Sequence, residues 1–435
     1  MALRSGAPVC SGRGGAGVSR LTRSALRSHL AERVFSAPAM ATLTPRRIGA
    51  EVELLALDAQ TGRPCPVAAE GVPSSLPFLR RFAARQGWTE ERTAKGAVSF
   101  VVRGGGVVSF EPGGQIEYAS PPSRTLSGQV HRLRSVVVPL RAAAATEGIA
   151  LLTAGIDPVN PVESVGLQLS SERYTRMAAH FARIGPSGAR MMRQTAALQI
   201  SLDFDDEPRL RWRLLNALSP FVTAIFASSA QYAGRNTGHK SFRAHCWRQL
   251  DPGRTGLPYD ERSPIEAYLN FALGAPAILY PTVQERCRPF GEWLTLASPT
   301  IEEWEAHLGT LFPEVRPRGH LELRSADAVD PAWYPAPLAL VAGLAYEPHA
   351  LRAALELLPA PDLGLLERAG RLGLDDPTIA RTAVDLCDLA LGACAALGPR
   401  FVHPAHLDEA RAYFDLYTRR GRSPAGDPAS QAVAA

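Results

Sequence analysis

The chain has 435 residues, 46% of them hydrophobic and 20% charged, the balance of a soluble globular protein with core enough for one large domain or two ordinary ones. Its net charge of +5, drawn largely from arginines in the first forty-seven positions, gives no sign of a nucleic-acid partner and leaves acidic or phosphorylated small ligands open. Six cysteines without C-x-x-C pairs argue against a zinc site or a secreted disulfide framework and fit a reduced cytoplasm, and the longest apolar region, residues 334–346, is too short and too interrupted by proline to cross a membrane.

Residues 1–41 are rich in Arg, Ser, Gly and Ala, with Glu32 as the only acid, which is the composition of an organellar transit peptide; a start codon placed too far upstream, with Met40 the true start, is the preferred alternative. On that reading residues 1–44 are a disordered leader, residues 45–420 form one domain, and residues 421–435, polar and small, are a disordered tail.

Ordered structure is expected from residue 46, where R-I-G-A-E-V-E-L-L-A-L-D alternates apolar residues with Glu51 and Glu53 and so puts both acids on one face of a strand. The turn A-Q-T-G-R-P and a helix over residues 76–86 follow. Three β-like runs, A-V-S-F-V-V-R, G-V-V-S-F-E-P and Q-I-E-Y-A-S, read as a meander in which Glu111, Gln115 and Glu117 flank a Pro-Gly-Gly bend. Residues 126–147 carry a helical apolar pattern stopped by Gly148, and I-A-L-L-T-A-G-I-D-P is a strand. Helices are expected over residues 170–183 and 209–232, on either side of the strand A-L-Q-I-S-L-D-F, with I-G-P-S-G-A-R as a loop leading into it. Further helices are expected near residues 265–273, 301–311, 337–346, 350–358, 379–397 and 406–417, with the strand G-H-L-E-L-R-S among them. Antiparallel strands dispersed through a helical chain, without regular β-α-β alternation or internal repeat, make the fold class α+β.

Four of these strands share a parity. Glu51 and Glu53; Gln115 and Glu117; Gln199, Ser201 and Asp203; and Glu322 with Arg324 each occupy the polar face of a strand whose other face is apolar. A solvated face would mix Lys, Thr, Ser and Glu, whereas carboxylates and amides are the hard oxygen donors that suit Mg²⁺ or Mn²⁺. If the strands are neighbours, their acids must share a cation or shift their pKa values. At least four carboxylates exceed the need of a single ion, so two or three metals bridging a nucleotide triphosphate, with Arg324 offsetting phosphate charge, is the economical reading.

Other signatures are missing. There is no G-x-x-x-x-G-K-[ST] loop, and R-G-G-G at residues 103–106 and I-G-P-S-G-A-R read as turns. There is no G-x-S-x-G elbow and no H-E-x-x-H helix. His131, His180, His239, His245 and His320 are unclustered in sequence and read as surface or packing residues.

In order along residues 46–346, the motifs I-G-A-E-V-E, F-E-P-G-G-Q-I-E, G-A-R-M-M-R-Q-T-A-A-L-Q-I-S-L-D, G-R-N-T-G-H-K-S-F-R-A-H-C-W and R-P-R-G-H-L-E-L-R-S-A-D resemble the glutamate-cysteine ligase family, in the branch shared by plants, many bacteria and ergothioneine-pathway enzymes. The resemblance implies a glutamine-synthetase-like fold, an antiparallel sheet curved into a funnel with metals inside and helices packed outside. It implies metal ligation by Glu51, Glu53, Glu111, Glu117 and Glu322, with Gln199 lining the same site. It makes Arg324 the phosphate-facing, ATP-binding arginine, catalytic together with Glu322. Arg243 falls on a position expected to hold the carboxylate of substrate glutamate, with Gln115, Gln199 and Ser201 also toward substrate. Ser201 stands where plant-like members carry Asn, which brings the chain closer to the ergothioneine branch and leaves the second-substrate pocket open.

The implied reaction is ATP-dependent ligation of the γ-carboxylate of L-glutamate to the amine of L-cysteine through γ-glutamyl phosphate. A γ-glutamyl ligase for another amine and an inactive glutamate or nucleotide sensor are the rivals. The expected partners are small molecules, L-glutamate, L-cysteine and ATP with Mg²⁺ or Mn²⁺, and neither nucleic acid nor membrane; monomer and homodimer both stay open, and the expected location is the cytoplasm.

Overall fold

Eleven residues, Ile48–Asp58, in which Ala50 to Leu54 alternate apolar and acidic side chains, form β1, the central strand of a computed structural model that describes residues 21–36, 46–92, 96–204, 207–280 and 287–427. The other strands are β2 (Thr89–Arg92), β3 (Val98–Val101), β4 (Val107–Phe110), β5 (Ile116–Ala119), β6 (Ile149–Leu152), β7 (Ala197–Leu202), the short hairpin β8 (Gln231–Tyr232) and β9 (Arg235–Asn236), β10 (Val315–Pro317) and β11 (Leu321–Asp327). The main sheet runs β10-β11-β7-β1-β5-β4-β3-β2, every pair antiparallel, and β6 pairs with the second half of β1. β1 therefore has three partners, and its first half is bracketed by β5 and β7.

The period of two sorts the side chains of β1. Ile48, Ala50, Val52, Leu54 and Ala56 enter the main hydrophobic core, where the Leu126–Thr146 helix covers them. Glu51 and Glu53 take the other face. At the far side, the Pro335–Tyr346 helix is apolar all round and buried along its whole length, as a helix enclosed by others must be; the Pro377–Leu397 and Pro404–Leu416 helices enclose it. No helix of the described residues is long and apolar enough to cross a membrane.

The α+β class and the β3-β4-β5 meander stand as expected. Four local expectations need correction. Residues 21–36 are not a disordered leader: a helix (Arg23–His29) and a π-turn (Leu30–Val34) place Leu26, Leu30 and Val34 in the main core. The I-G-P-S-G-A-R stretch opens a helix, Pro186–Gln194, because proline at the first helical position is already set to a helical φ. Gly188 there lets the helix press on the Glu172–Ala182 helix, since a Cβ would lie 2.2 Å from Phe181 Cβ. The C-terminal tail stays ordered through Asp427, with Ala425 N–H donating to Ala227 O at 2.9 Å; residues 428–435 lie outside the described residues. The expected 209–232 helix ends at Ile225, and β8 takes its last residues.

Candidate active site

Register assembles the acids. Glu53 of β1 sits opposite Glu117 of β5, which in turn sits opposite Ser109 of β4, while Glu51 sits opposite Gln199 of β7. Glu322 of β11 faces Ser201 of β7 and Arg316 of β10. Glu111 lies just beyond β4 and is turned inward by the Pro-Gly-Gly bend, closed by Glu111 N–H to Gln115 O at 2.9 Å and Gly114 N–H to Glu111 O at 2.8 Å. Only glycine fits at 113, because a Cβ there would lie 2.0 Å from the Arg193 carbonyl oxygen.

The result is a cavity of about 240 Å³ with three kinds of wall. Glu51, Glu53, Glu111 and Glu117 form an acidic wall; Arg316, Arg318 and Arg324 form a basic one; Met177, Met191, Met192, Trp247 and Phe312 form an apolar one. Arg173 and Tyr174, from the Glu172–Ala182 helix, reach across the opening, and Arg173 donates to the Gly309 carbonyl.

The acids are held at odds with burial. Burial raises the Glu53 carboxyl most and Glu111 adds to it, so that it rises to about 8 in spite of Arg243 and Arg324. Yet both Glu53 oxygens accept hydrogen bonds, from Ala197 N–H and from the Gln199 amide, each at 2.9 Å, which is the pattern of an anion. Burial also raises Glu117 well above the usual carboxylate range, with Glu111, Glu51 and Glu53 repelling its charge. Glu111 and Glu51 are raised by burial too, Glu111 against the pull of Arg173 and Arg324, Glu51 with repulsion from Glu322 added.

Glu322 is the exception. Burial raises it, but Arg316, Arg324 and Arg318 outweigh burial and hold it down at about 2. Arg316 donates to it at 2.8 and 3.0 Å, Arg318 stands 3.8 Å away, and Arg324 pairs with both Glu322 and the Gln199 side-chain oxygen. Glu322 thus lies behind a layer of guanidinium groups and does not line the cavity itself.

Three other expected residues are placed differently from a free ligand. Gln115 borders the cavity, but its amide donates to Thr195 O at 2.9 Å and its oxygen accepts from Gly113 N–H at 3.0 Å, so it fastens the bend. Ser201 borders an adjacent cavity shared with Glu51, Asp203 and His320. Arg243 is buried behind β11: it donates to the Arg324 carbonyl at 2.7 Å, lies 3.7 Å from Asp327 and stacks over Trp247 at 5.0 Å. It positions Arg324 and does not line the cavity.

Sequence reasoning did not single out Arg173, Tyr174, Arg316 or the apolar wall. The adjacent Met191 and Met192 and the alternation R-P-R before β11 were the available signals. His239 and His245, separate in sequence, meet at a tilt with ring centroids 4.2 Å apart. Among the described residues no three His, Cys, Asp or Glu side chains converge on one metal-sized point. The acidic wall is nonetheless made of hard oxygen donors whose mutual repulsion a cation would relieve.

Residues 47–414 match the family model for glutamate-cysteine ligase family 2. The chain is 33% identical over 349 residues to the glutamate–cysteine ligase EgtA of Mycolicibacterium smegmatis, with 76% of this chain and 79% of that protein covered. It is 31% identical over 330 residues to the chloroplastic glutamate–cysteine ligase of Arabidopsis thaliana, covering 72% and 61% of the two. Among solved structures, it is similar to a glutamate–cysteine ligase of Francisella tularensis in complex with AMP, with a TM-score of 0.50 at 12% identity and coverage of 89% and 85%. At that identity the likeness speaks for the fold alone.

Proposed function

The chain belongs to glutamate-cysteine ligase family 2, and from that premise we propose that it joins the γ-carboxylate of L-glutamate to the amine of L-cysteine with cleavage of ATP, a step of low-molecular-weight thiol biosynthesis. The γ-phosphoryl group passes from ATP to the γ-carboxylate, releasing ADP and leaving γ-glutamyl phosphate. The cysteine amine then attacks the acyl carbon, a C–N bond forms, phosphate leaves, and the amine gives up a proton.

The observation that carries this reading is the cavity's division of labour. Two anions, a carboxylate and a polyphosphate, must approach each other, and the arginine wall supplies the fixed positive charge for the phosphate partner. Arg316 and Arg324 are locked by Glu322, so their guanidinium groups need no reorganisation when charge moves. Arg243, bonded to the Arg324 carbonyl, holds the strand that presents Arg324.

Glu51, Glu53, Glu111 and Glu117 would hold Mg²⁺ or Mn²⁺, two or three ions by charge, with Gln199 beside them. Such ions supply neutralisation of phosphoryl charge and a template for the in-line transfer. The chain's own groups do the rest: a carboxylate of this wall that is left free of the ions takes the proton from the incoming amine. The methionine and aromatic wall suits a sulfur-bearing side chain, since thioethers and ring edges contact sulfur favourably.

The test is ADP release with glutamate and a panel of amines. Turnover that peaks with cysteine supports the reading. Equal or better turnover with a non-thiol amine of similar size reassigns the acceptor, and no Mg²⁺-dependent ADP formation with any amine removes the ligase assignment.

A further inference from the structure

Residues 21–36 lie outside the stretch that matches the family model, yet they are built into the molecule beside the site. Thr22 caps the Arg23–His29 helix, accepting from Ala25 N–H at 3.1 Å. Leu26 and Leu30 are wholly buried. Phe35 packs edge-on against Trp212 and Tyr268, with ring centroids 5.3 and 5.7 Å away. Arg23 and Arg27 both pair with Glu266, at 2.9 and 2.7 Å. The segment also meets the β10–β11 hairpin, where Gly319 N–H donates to Val34 O at 2.8 Å.

That hairpin carries Arg316 and Arg318. Between it and the N-terminal segment lies a second cavity of about 250 Å³ that shares Gly309, Arg316 and Arg318 with the catalytic cavity. Val34, Tyr268, Leu308 and Pro317 give it an apolar wall, and Arg33 joins Arg316 and Arg318 on its basic rim. The one acid bordering it, Glu305, is engaged by His29 at 3.0 Å. With cations on the four carboxylates, the remaining phosphate charge is attracted to this basic rim, and an apolar slot next to such a rim matches the two halves of a nucleotide.

We infer that residues 22–35 form the outer wall of the nucleotide end of the site and that Arg33 is a further nucleotide-binding residue, acting with Arg318 on the polyphosphate. The inference rests on the ATP-dependent reading above and adds a segment that the family match does not contain. Arg33 is exposed, so its replacement leaves the buried leucines and the ion pairs of the segment intact.

The experiment compares full-length wild type, Arg33→Ala and Arg33→Lys by binding of a non-hydrolysable ATP analogue with Mg²⁺ and by steady-state kinetics. Loss of one charge-assisted phosphate contact predicts analogue binding and KM for ATP weakened about tenfold in Arg33→Ala. KM for glutamate and cysteine, kcat and thermal midpoint stay as in wild type, and Arg33→Lys recovers most of the loss. An active wild type whose Arg33→Ala variant has unchanged analogue affinity and KM for ATP overturns the inference alone, as does an equal rise in KM for all three substrates. A wild type that binds the analogue, with Arg33→Ala weakened, but does not consume ATP with glutamate and any amine sinks the ligase reading and leaves the nucleotide wall standing; a wild type that binds no nucleotide sinks both.

Discussion

Glu53 and Glu117 face each other directly across β1 and β5, two like charges in the one register position where a sheet places side chains closest together. Such a pair is destabilising unless protonated or bridged by a cation. Replacing Glu117 by glutamine therefore has opposite effects on the empty fold and on catalysis, whereas Glu53→Gln also sets an amide donor against Ala197 N–H or the Gln199 amide. Glu117→Gln should raise the thermal midpoint without metal, and Glu53→Gln and Glu117→Gln should each lower kcat/KM by about 100-fold or more and raise the Mg²⁺ concentration needed for half-maximal rate. Glu90→Gln, on the exposed edge strand β2, should leave kinetics unchanged. A variant with full activity and ordinary Mg²⁺ dependence would remove that carboxylate from the metal set.

Glu322 makes a different prediction, because its charge is already paired. Arg316→Ala removes the guanidinium that donates to it at 2.8 and 3.0 Å and leaves a buried carboxylate with Arg324 and the more distant Arg318. Breaking a buried pair in this way destabilises by about 3–5 kcal/mol where no other partner remains, and by less here with Arg324 still paired, readable as a lower urea midpoint at unchanged m-value. Glu322→Gln in the Arg316→Ala background should recover part of that loss, since it removes the unpaired charge. No change in midpoint for the single variant would show that Arg324 alone satisfies Glu322.

The strand faces were legible because a period of two needs only local sequence, so Glu51, Glu53, Gln199 and Arg324 could be named from alternation alone. What alternation lacks is direction behind the strand. Arg243 was visible as a motif residue, but nothing local says that its guanidinium turns toward the Arg324 carbonyl and Asp327. Arg173 and Tyr174 come from a helix folded over the opening, and exposed helix residues carry no mark of what they will cover. The N-terminal segment is the instructive miss: Leu26, Leu30 and Val34 recur at four-residue spacing, a helical signal, and the arginine-rich composition around them argued for a leader instead.

Gly113 ties the bend to the acidic wall. Its Cα touches the Arg193 backbone so closely that a methyl group has no room, and the contact is backbone, which cannot swing aside. Gly113→Ala should push the bend off the end of the Pro186–Gln194 helix, break the Gln115 amide bond to Thr195 O and move Glu111 out of line with Glu117. Overpacking of this kind costs about 1–3 kcal/mol, and kcat should fall more than stability does. An alanine variant with wild-type kcat would mean that Glu111 is not held by the bend.

His307 predicts a pH dependence of stability away from the site. Its ring is fully buried, stacked on Phe290 with centroids 4.6 Å apart, and its Nε2 lies 2.8 Å from the Ala272 carbonyl, so the neutral tautomer with hydrogen on Nε2 satisfies that contact. Burial, and then the charge of Arg254, push the imidazole down to about 3, against the opposing pull of the Ala272 carbonyl. An unfolded histidine titrates near 6.5. Between those values the unfolded chain binds the extra proton, so stability rises with pH, is fully present above about 6.5, and falls as pH drops toward 3 by up to about 1.4 kcal/mol per unit. His307→Gln keeps an amide N–H for Ala272 O and cannot titrate. Denaturant midpoints at pH 7.5 and pH 5 should therefore show wild type losing about 2 kcal/mol more than His307→Gln over the same interval. Parallel losses in the two proteins would show that His307 does not stay neutral in the folded state.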